Sequence, residues 1–293
     1  MVLSFRLPLL ALLLAIFALP STCSAQLDST GVNLMRSIEW QKGPATGRLG
    51  DLAEVQVPAG MVFTGREGTK KWMEATHNLT SDDDLGVVTA TSEDEKWWVI
   101  FTNNDVGHVK DDEKDKLDAD ALMKTLQGNN KESNRERQKR GWSTFEIVGW
   151  ERPPFYDAQT NNLTWAVRLR GSRGESVNYS VRILGREGYM SADLVLRPDE
   201  LAASIPAFEK LLAGYTYTQG HRYAEYRKGD KLAAYGLTAL VAGGAGAVAM
   251  KTGLLAKFWK LIVVGALGLL AAVKRFIKTI LGWGKNEETI QSS

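Results

Sequence analysis

The chain has 293 residues, of which 44% are hydrophobic, and a formal net charge of +2. This length fits one or two ordered domains with a sizeable core, and the near-neutral charge does not imply a general nucleic-acid-binding role. Cys23 is the only cysteine, which excludes an intrachain disulfide framework.

The N-terminus has the features of a secretory signal peptide. Arg6 supplies a positive charge, the apolar stretch LPLLALLLAIFAL (7–19) is too short for a usual membrane span, and Ala25 is a small residue at a cleavage position. We therefore predict a signal peptide over 1–25. Cys23 leaves a lipoprotein as the alternative, which the preceding PST fits poorly. Since the mature chain then has no cysteine, we expect a bacterial envelope protein.

Residues 26–231 are predicted to form an exported domain. In its first half, LGVVTA (85–90) and KWWVIFTN (96–103) are typical of strands. The stretch GHVKDDEKDKLDADALM (107–123) is rich in acids, but no register places the glycine and glutamate that a calcium loop of the EF-hand type needs. We predict a helix capped by Asp118, with Leu122 and Leu126 on its apolar stripe. A loose, low-affinity cation site is the alternative.

A basic run follows, KESNRERQKR (131–140), with five basic and two acidic residues. Such a run is usually a solvated helix face. The functional hypothesis is a docking surface for an anionic surface or partner, formed by Arg135, Arg137 and Arg140.

From residue 143 the hydrophobic pattern changes to period two. LTWAVRLR (163–170), SVNYSVRIL (176–184) and YMSADLVL (189–196) predict strands, joined by turns at GSRG and GREG. Taking 172–174 as the first loop puts all three apolar faces on one side of the sheet. The other side is then either an ordinary wet face or a polar binding platform, formed by Arg168, Asn178, Ser180, Arg182 and Asp193.

A helix near 201–211, with Leu201, Ile205, Phe208 and Leu211 at helical spacing, is expected to cover the apolar face. The predicted fold class is therefore α+β, an antiparallel β-meander with covering helices plus a C-terminal transmembrane segment.

Residues 232–293 are predicted to be a membrane tail. LAAYGLTALVAGGAGAVAM (232–250) is apolar but rich in Ala and Gly, so a buried Ala-rich helix is an alternative for it. FWKLIVVGALGLLAAV (258–273) reaches spanning length if its flanking lysines snorkel. The basic end 274–285 favours one net crossing with a cytoplasmic C-terminus, and a two-helix hairpin is the alternative.

The sequence carries no recognisable catalytic motif. Nucleophile elbow, zincin, C-x-x-C and phosphate-loop patterns are absent from it. His77, His108 and His221 are far apart along the chain, so a shared metal site would require the fold to gather them. We therefore predict no cofactor and no catalytic or metal-binding residues.

Several stretches resemble an uncharacterised family of bacterial membrane-anchored proteins, among them GHVKDDEKDKLDADALM, VGWERPPFYDAQTNNLTWA and VNYSVRILGREGYMS. The resemblance covers about residues 40–285 and implies a signal peptide, an exported domain and a membrane tail, with no established activity. More weakly, the hairpins followed by LAASIPAFEKLLAGYTY are similar to the sheet and helix of Mog1/PsbP-like domains, which are mostly binding modules.

We therefore expect a membrane-anchored envelope protein that acts as a binding or scaffold module, with an envelope hydrolase as the alternative. The expected partners are membrane lipid and a protein or envelope component, and not nucleic acid. The main domain is expected on the periplasmic side of the bacterial cell membrane.

Overall fold

The computed structural model describes residues 29–92 and 95–242. Over these ranges the helices are α1 (Ser29–Arg36), α2 (Arg66–Ala75), α3 (Ala119–Lys139), α4 (Leu201–Ala213) and α5 (Leu237–Val241). The strands are β1 (Gln41–Lys42), β2 (Ala45–Leu49), β3 (Ala53–Val57), β4 (Met61–Gly65), β5 (Asp84–Ala90), β6 (Trp98–Asn104), β7 (Phe145–Asp157), β8 (Asn162–Gly171), β9 (Gly174–Leu184), β10 (Tyr189–Leu196) and β11 (Tyr215–Tyr217).

The strands pair antiparallel in two sheets. The large sheet has the order β1-β4-β5-β6-β10-β9-β8-β7, and the small sheet has the order β11-β3-β2. Consecutive strands β7 to β10 are neighbours, so the predicted meander and the α+β class are confirmed. The predicted membrane span 258–273 lies outside the described residues.

The first core lies between one face of the large sheet and α4 with the small sheet. Across the β9–β10 hairpin, Ile183 pairs with Met190, which keeps the apolar sides of both strands together as predicted. Phe208 and Leu211 of α4 are almost fully buried in this core. The buried strand residues are Val177, Tyr179, Val181, Ile183, Met190, Ala192, Leu194 and Leu196.

The apolar side of β8 faces the opposite way from the prediction. The β8–β9 hairpin pairs Gly171 with Gly174 across a two-residue turn, whereas the prediction has a three-residue loop at 172–174. A shift of one residue in register moves every side chain of a strand to the other face. The apolar residues of β8 therefore enter a second core, and these are Leu163, Trp165, Val167 and Leu169.

The second face of the sheet is covered by helices along its two flanks. α3 and α5 enclose the second core over β7 and β8. α2 packs on β4 and β5, where Met73, Val87 and Ile100 are buried beside Trp72 and Trp98. Between these flanks lie β9 and β10, whose side chains on this face are mainly polar.

α3 begins as the sequence predicts. A carboxylate oxygen of Asp118 accepts a hydrogen bond from the backbone N–H of Ala121 at 3.0 Å, which satisfies one of the free donors of the first turn. Leu122 is fully buried in the second core. The last residues of the acidic stretch, 118–123, therefore cap and begin a helix, and 107–117 lie in the segment before it.

The folded domain extends beyond its predicted end at residue 231. α5 lies inside the apolar stretch 232–250, yet its side chains are buried in the second core rather than left for a membrane. Its N-terminus is held by Glu113, whose Oε2 accepts the Thr238 N–H at 3.0 Å. The prediction of a membrane tail starting at 232 is therefore wrong for 232–242, and the helix within this part of the stretch, Leu237–Val241, is buried in the domain.

Candidate functional site

Arg137 was predicted on a solvated helix face, and the structure buries it. Its Nε donates to the Ser143 carbonyl at 2.6 Å and its NH1 donates to the His77 carbonyl at 3.0 Å. The side chain also lies over the rings of Trp142 and Phe145. Burial, with a smaller contribution from Arg173, lowers the pKa of Arg137. This arginine thus ties α3 to the loop after α2, and its side chain is not available for docking.

Arg135 and Arg140 are exposed, as the docking hypothesis requires. Arg135 pairs with Glu132 at 2.6 Å, and Arg140 pairs with Glu136 at 3.1 Å while lying over the Trp142 ring. Exposed helix-surface pairs of this kind contribute little to stability. Their charges can therefore be redirected to a partner at small cost.

An open groove of about 630 Å³ lies beside this end of α3. Its walls come from α3, from the start of β7 and from the β8–β9 turn, and include Asn134, Gln138, Trp142, Phe145, Glu146 and Arg170. Asn134 holds two of these walls together, because its side chain donates to the Phe145 carbonyl and accepts the Phe145 N–H. The groove is therefore formed by braced elements.

The rim of the groove carries a cation that the sequence analysis missed. Arg173 is exposed at the tip of the β8–β9 turn, and no ion pair to it is present among residues 29–92 and 95–242. Arg170 nearby forms an ion pair with Glu175, with 2.8 Å between its NH2 and the Glu175 Oε1. The sequence feature that could have identified Arg173 is the turn sequence GSRG, in which an arginine side chain is expected to be exposed.

Arg168 of the predicted polar platform lies on the other face of the sheet from the remaining four residues. It pairs across the strands with Val177 of the first core, because the two-residue turn reverses the face of β8. Its guanidinium bridges Glu151 at 2.7 Å and Glu175 at 3.1 Å, and these hydrogen bonds raise the pKa of Arg168. Arg168 therefore does not contribute to one platform with the others.

The remaining residues, Asn178, Ser180, Arg182 and Asp193, share one face between the helical flanks. They are not an ordinary wet face. One oxygen of Asp193 accepts from Ser180 Oγ at 2.5 Å and from Arg182 NH1 at 2.9 Å. Arg182 also lies 4.6 Å above the Trp165 ring, with its side chain only 14% exposed. This polar belt is largely satisfied internally, so it offers few free groups to a ligand.

The acidic stretch 107–123 contributes contacts within the domain. Among the residues that the structure describes, no group of three or more His, Cys, Asp or Glu side chains could hold a metal ion. His108 is stacked between Tyr223 and Tyr226, with ring centroids 4.5 and 4.2 Å away. His77 stacks on Trp142 and His221 pairs with Glu187. The histidines therefore have separate structural surroundings.

His108 helps to attach the segment that leads into α5 to the rest of the domain. Its backbone N–H donates to the Lys231 carbonyl, and its carbonyl accepts the Ala233 N–H. Asp230 in the same segment accepts two hydrogen bonds from Arg186, at 2.7 and 2.8 Å, which lower the pKa of Asp230 to about 2. Residues 230–242 are thus held firmly against the domain.

Comparison with known proteins places the chain in a family. A family model described as "Protein of unknown function (DUF2167)" matches residues 41–274. The chain belongs to the DUF2167 family. The resemblance to a family of unknown function is thereby confirmed, whereas the signal peptide and the membrane anchor stay predictions. Among curated proteins no match to this DUF2167 chain was found.

Two solved structures show weak similarity to the DUF2167 fold. The solution structure of cyanobacterial PsbP (CyanoP) from Synechocystis sp. PCC 6803 has a TM-score of 0.35 and 13% identity, covering 68% of this chain and 98% of that chain. The Ran-binding protein Mog1p of Saccharomyces cerevisiae has a TM-score of 0.29 and 11% identity, covering 65% and 99%. Similarity at this level does not extend to function.

None of the described helices is long and apolar enough to cross a membrane. The predicted signal peptide 1–25, the remainder of the first apolar stretch (243–250), the span 258–273 and the basic end 274–285 all lie outside the described residues.

Proposed function

We propose that this DUF2167 protein is an exported, membrane-anchored binding module of the bacterial envelope. The docking surface is the basic groove, defined as the groove beside the C-terminal end of α3 together with the exposed bases of that helix end, Arg135, Lys139 and Arg140, and Arg173 of the β8–β9 turn. Export and anchoring are supported by the predicted signal 1–25, the apolar stretch 258–273 and the basic end that follows it.

The observation that carries the docking proposal is an open groove, lined by Glu146 and Arg170, that lies beside a helix end and a turn with an excess of positive charge. Apart from the buried Arg137, residues 131–140 hold four exposed bases and two acids, and Arg173 adds a cation for which the described residues provide no ion pair. Trp142 and Phe145 supply aromatic surface in the same groove. Partly exposed aromatic and arginine side chains are enriched where proteins bind partners, and the charge favours an anionic one.

Site-specific photocrosslinking in the bacterial envelope tests the docking surface. A photoreactive amino acid replaces Gln138, which lines the groove, and in a matched control it replaces Ala203, which is exposed on α4 at the opposite face. We expect an adduct from position 138 alone, reduced when Arg140→Glu and Arg173→Glu are added. Equal adducts at both positions, or none at 138, would refute the docking proposal.

A reporter that is active only outside the cytoplasm tests export and anchoring. Because the domain extends to Ala242, the first fusion is placed after that residue and the second after Ser293. We expect activity from the first fusion only, since one crossing leaves the basic end in the cytoplasm. Activity from both would indicate the hairpin, and activity from neither would disprove export.

A further inference from the structure

We infer that the occupant of the basic groove is the anionic lipid surface of the membrane in which the protein's own tail is anchored. This inference rests on the proposed function, because it requires the tail to be in a membrane. It names the partner as negatively charged lipid headgroups.

The last residue that the structure describes, Ala242, lies beside the middle of α3. Asn129, in the middle of α3, donates a side-chain hydrogen bond to the carbonyl of Ala242. The chain therefore continues toward the predicted span from a point beside this helix. Arg140, which caps the C-terminus of α3, lies 11 residues after Asn129, which is about 16 Å at 1.5 Å per residue. The basic groove is thus on the same helix as the exit point.

The tether between the domain and the predicted span is short. Phe258, the first residue of the predicted span, follows Ala242 by 16 residues, a reach of at most about 55 Å even when fully extended. A surface tethered this closely is present at a high effective concentration. Weak electrostatic contacts that would not hold a free partner are then sufficient for docking.

Charge is distributed unevenly along α3 and the segment before it. Residues 110–120 hold six acids and three lysines, whereas the last turns hold the basic run. An anionic surface repels the first end and attracts the second. Docking therefore has a defined orientation, with the C-terminal end of α3 toward the lipid and the acidic end away from it.

The test uses the full chain carrying Cys23→Ser, reconstituted in lipid nanodiscs. A single cysteine is introduced by Gln138→Cys at the groove or by Ala203→Cys on α4, and each carries an environment-sensitive fluorophore. The discs contain either phosphatidylcholine alone or phosphatidylcholine with phosphatidylglycerol, each with a lipid-borne quencher. We expect quenching at position 138 in the anionic discs only, little quenching at 203, and loss of quenching as salt is raised.

Charge reversal supplies the matched variants. Each basic side chain near an anionic surface shifts the docking equilibrium by about fivefold. Arg140→Glu with Arg173→Glu should therefore reduce the docked population by more than about tenfold. Arg48→Glu with Lys210→Glu makes the same charge change on exposed residues of the opposite face and should leave docking unchanged.

The outcomes separate this inference from the proposed function. Failure of the chain to remain with any disc would remove the anchoring that both require. Retention with no quenching at 138, or with equal quenching in neutral discs, would overturn the lipid inference alone. A protein adduct at 138 in the envelope, with no lipid adduct, would also overturn it while leaving the docking surface intact.

Discussion

At the residue scale, neighbouring arginines of one helix have opposite roles. Arg137 and Arg135 occur in the same basic run, yet Arg137 is buried and donates to two backbone carbonyls while Arg135 is exposed. The sequence could not distinguish them, because the acceptors for Arg137 come from residues 77 and 143, and only the folded chain brings these together.

Replacing Arg137 with alanine should lower the free energy of unfolding by about 2–4 kcal/mol, since two partly buried carbonyls lose a charged donor and the aromatic contacts of the buried side chain are lost. Arg135→Ala is the matched control and should change it by less than about 0.5 kcal/mol. Urea denaturation followed by tryptophan fluorescence measures both. Equal, small effects would contradict the bracing role of Arg137.

His108 is the residue expected to make the domain sensitive to acid. Its ring is buried between two tyrosines, and the part of the chain that the structure describes provides no hydrogen-bond partner for its Nδ1. Burial lowers the pKa of His108 below its usual 6.5, and the carbonyls of Arg186 and Gly185 with the carboxylates of Asp230 and Asp111 offset this only in part. The neutral ring is therefore the form that the folded state prefers.

Because the folded state binds the proton of His108 less readily than the unfolded state, stability is fully present above about pH 6.5 and is lost as the pH falls through the lowered folded pKa. We expect His108→Phe, which keeps an aromatic ring in the stack, to show a shallower fall in unfolding free energy between about pH 7.5 and 5.5. His77→Phe is the control. Parallel pH profiles for the parent and His108→Phe would show that His108 does not titrate in this range.

At the element scale, the sequence predicts which segments are strands better than it predicts where they face. The structure contains the predicted strands β8, β9 and β10, and the apolar sides of β9 and β10 face the same core, as predicted. β8 is reversed because a turn of two residues, rather than three, decides its register. Both faces of this sheet are covered, so alternation alone could not choose between them.

The same limit applies to the site. The basic run and its exposed Arg135 and Arg140 are visible in the sequence, whereas the groove is not, since its walls come from α3, β7 and a distant turn. The predicted polar platform is incomplete for the same reason: the reversed face of β8 places Arg168 on the other side of the sheet from the remaining four residues. Composition indicated an apolar stretch at 232–250, but could not tell burial in a core from burial in lipid.

α5 gives a direct test of that distinction. Leu237 is fully buried in the second core, and Leu232 is 44% exposed. We expect Leu237→Ala to lower the unfolding free energy of the full chain in detergent by about 2–5 kcal/mol, because it leaves a cavity. Leu232→Ala should have an effect below about 1 kcal/mol. If both variants unfold at the urea concentration of the parent, α5 does not contribute to the domain.

At the scale of the whole molecule, one sheet separates two cores. β9 and β10 place Val181 and Leu194 in the first core, and β8 beside them places Leu163 and Trp165 in the second. The strands that line the first core are hydrogen-bonded to the strand that lines the second core. Neither core can lose its packing without disturbing the sheet that the other needs, which favours unfolding as a single unit.

We therefore expect defects in either core to shift the same transition. Leu194→Ala and Leu163→Ala each remove a fully buried leucine, from the first and the second core respectively, and each should cost about 2–5 kcal/mol. Circular dichroism, which follows the whole sheet, and tryptophan fluorescence should give coincident urea midpoints in both variants, because coincidence of different probes is the mark of one cooperative transition. Ala203→Ser, a substitution at an exposed residue, is the control and should leave both urea midpoints at the values of the parent. If Leu163→Ala separated the two midpoints while Leu194→Ala did not, the second core would open by itself, and the segment 230–242 that is fastened to it would be released before the domain unfolds.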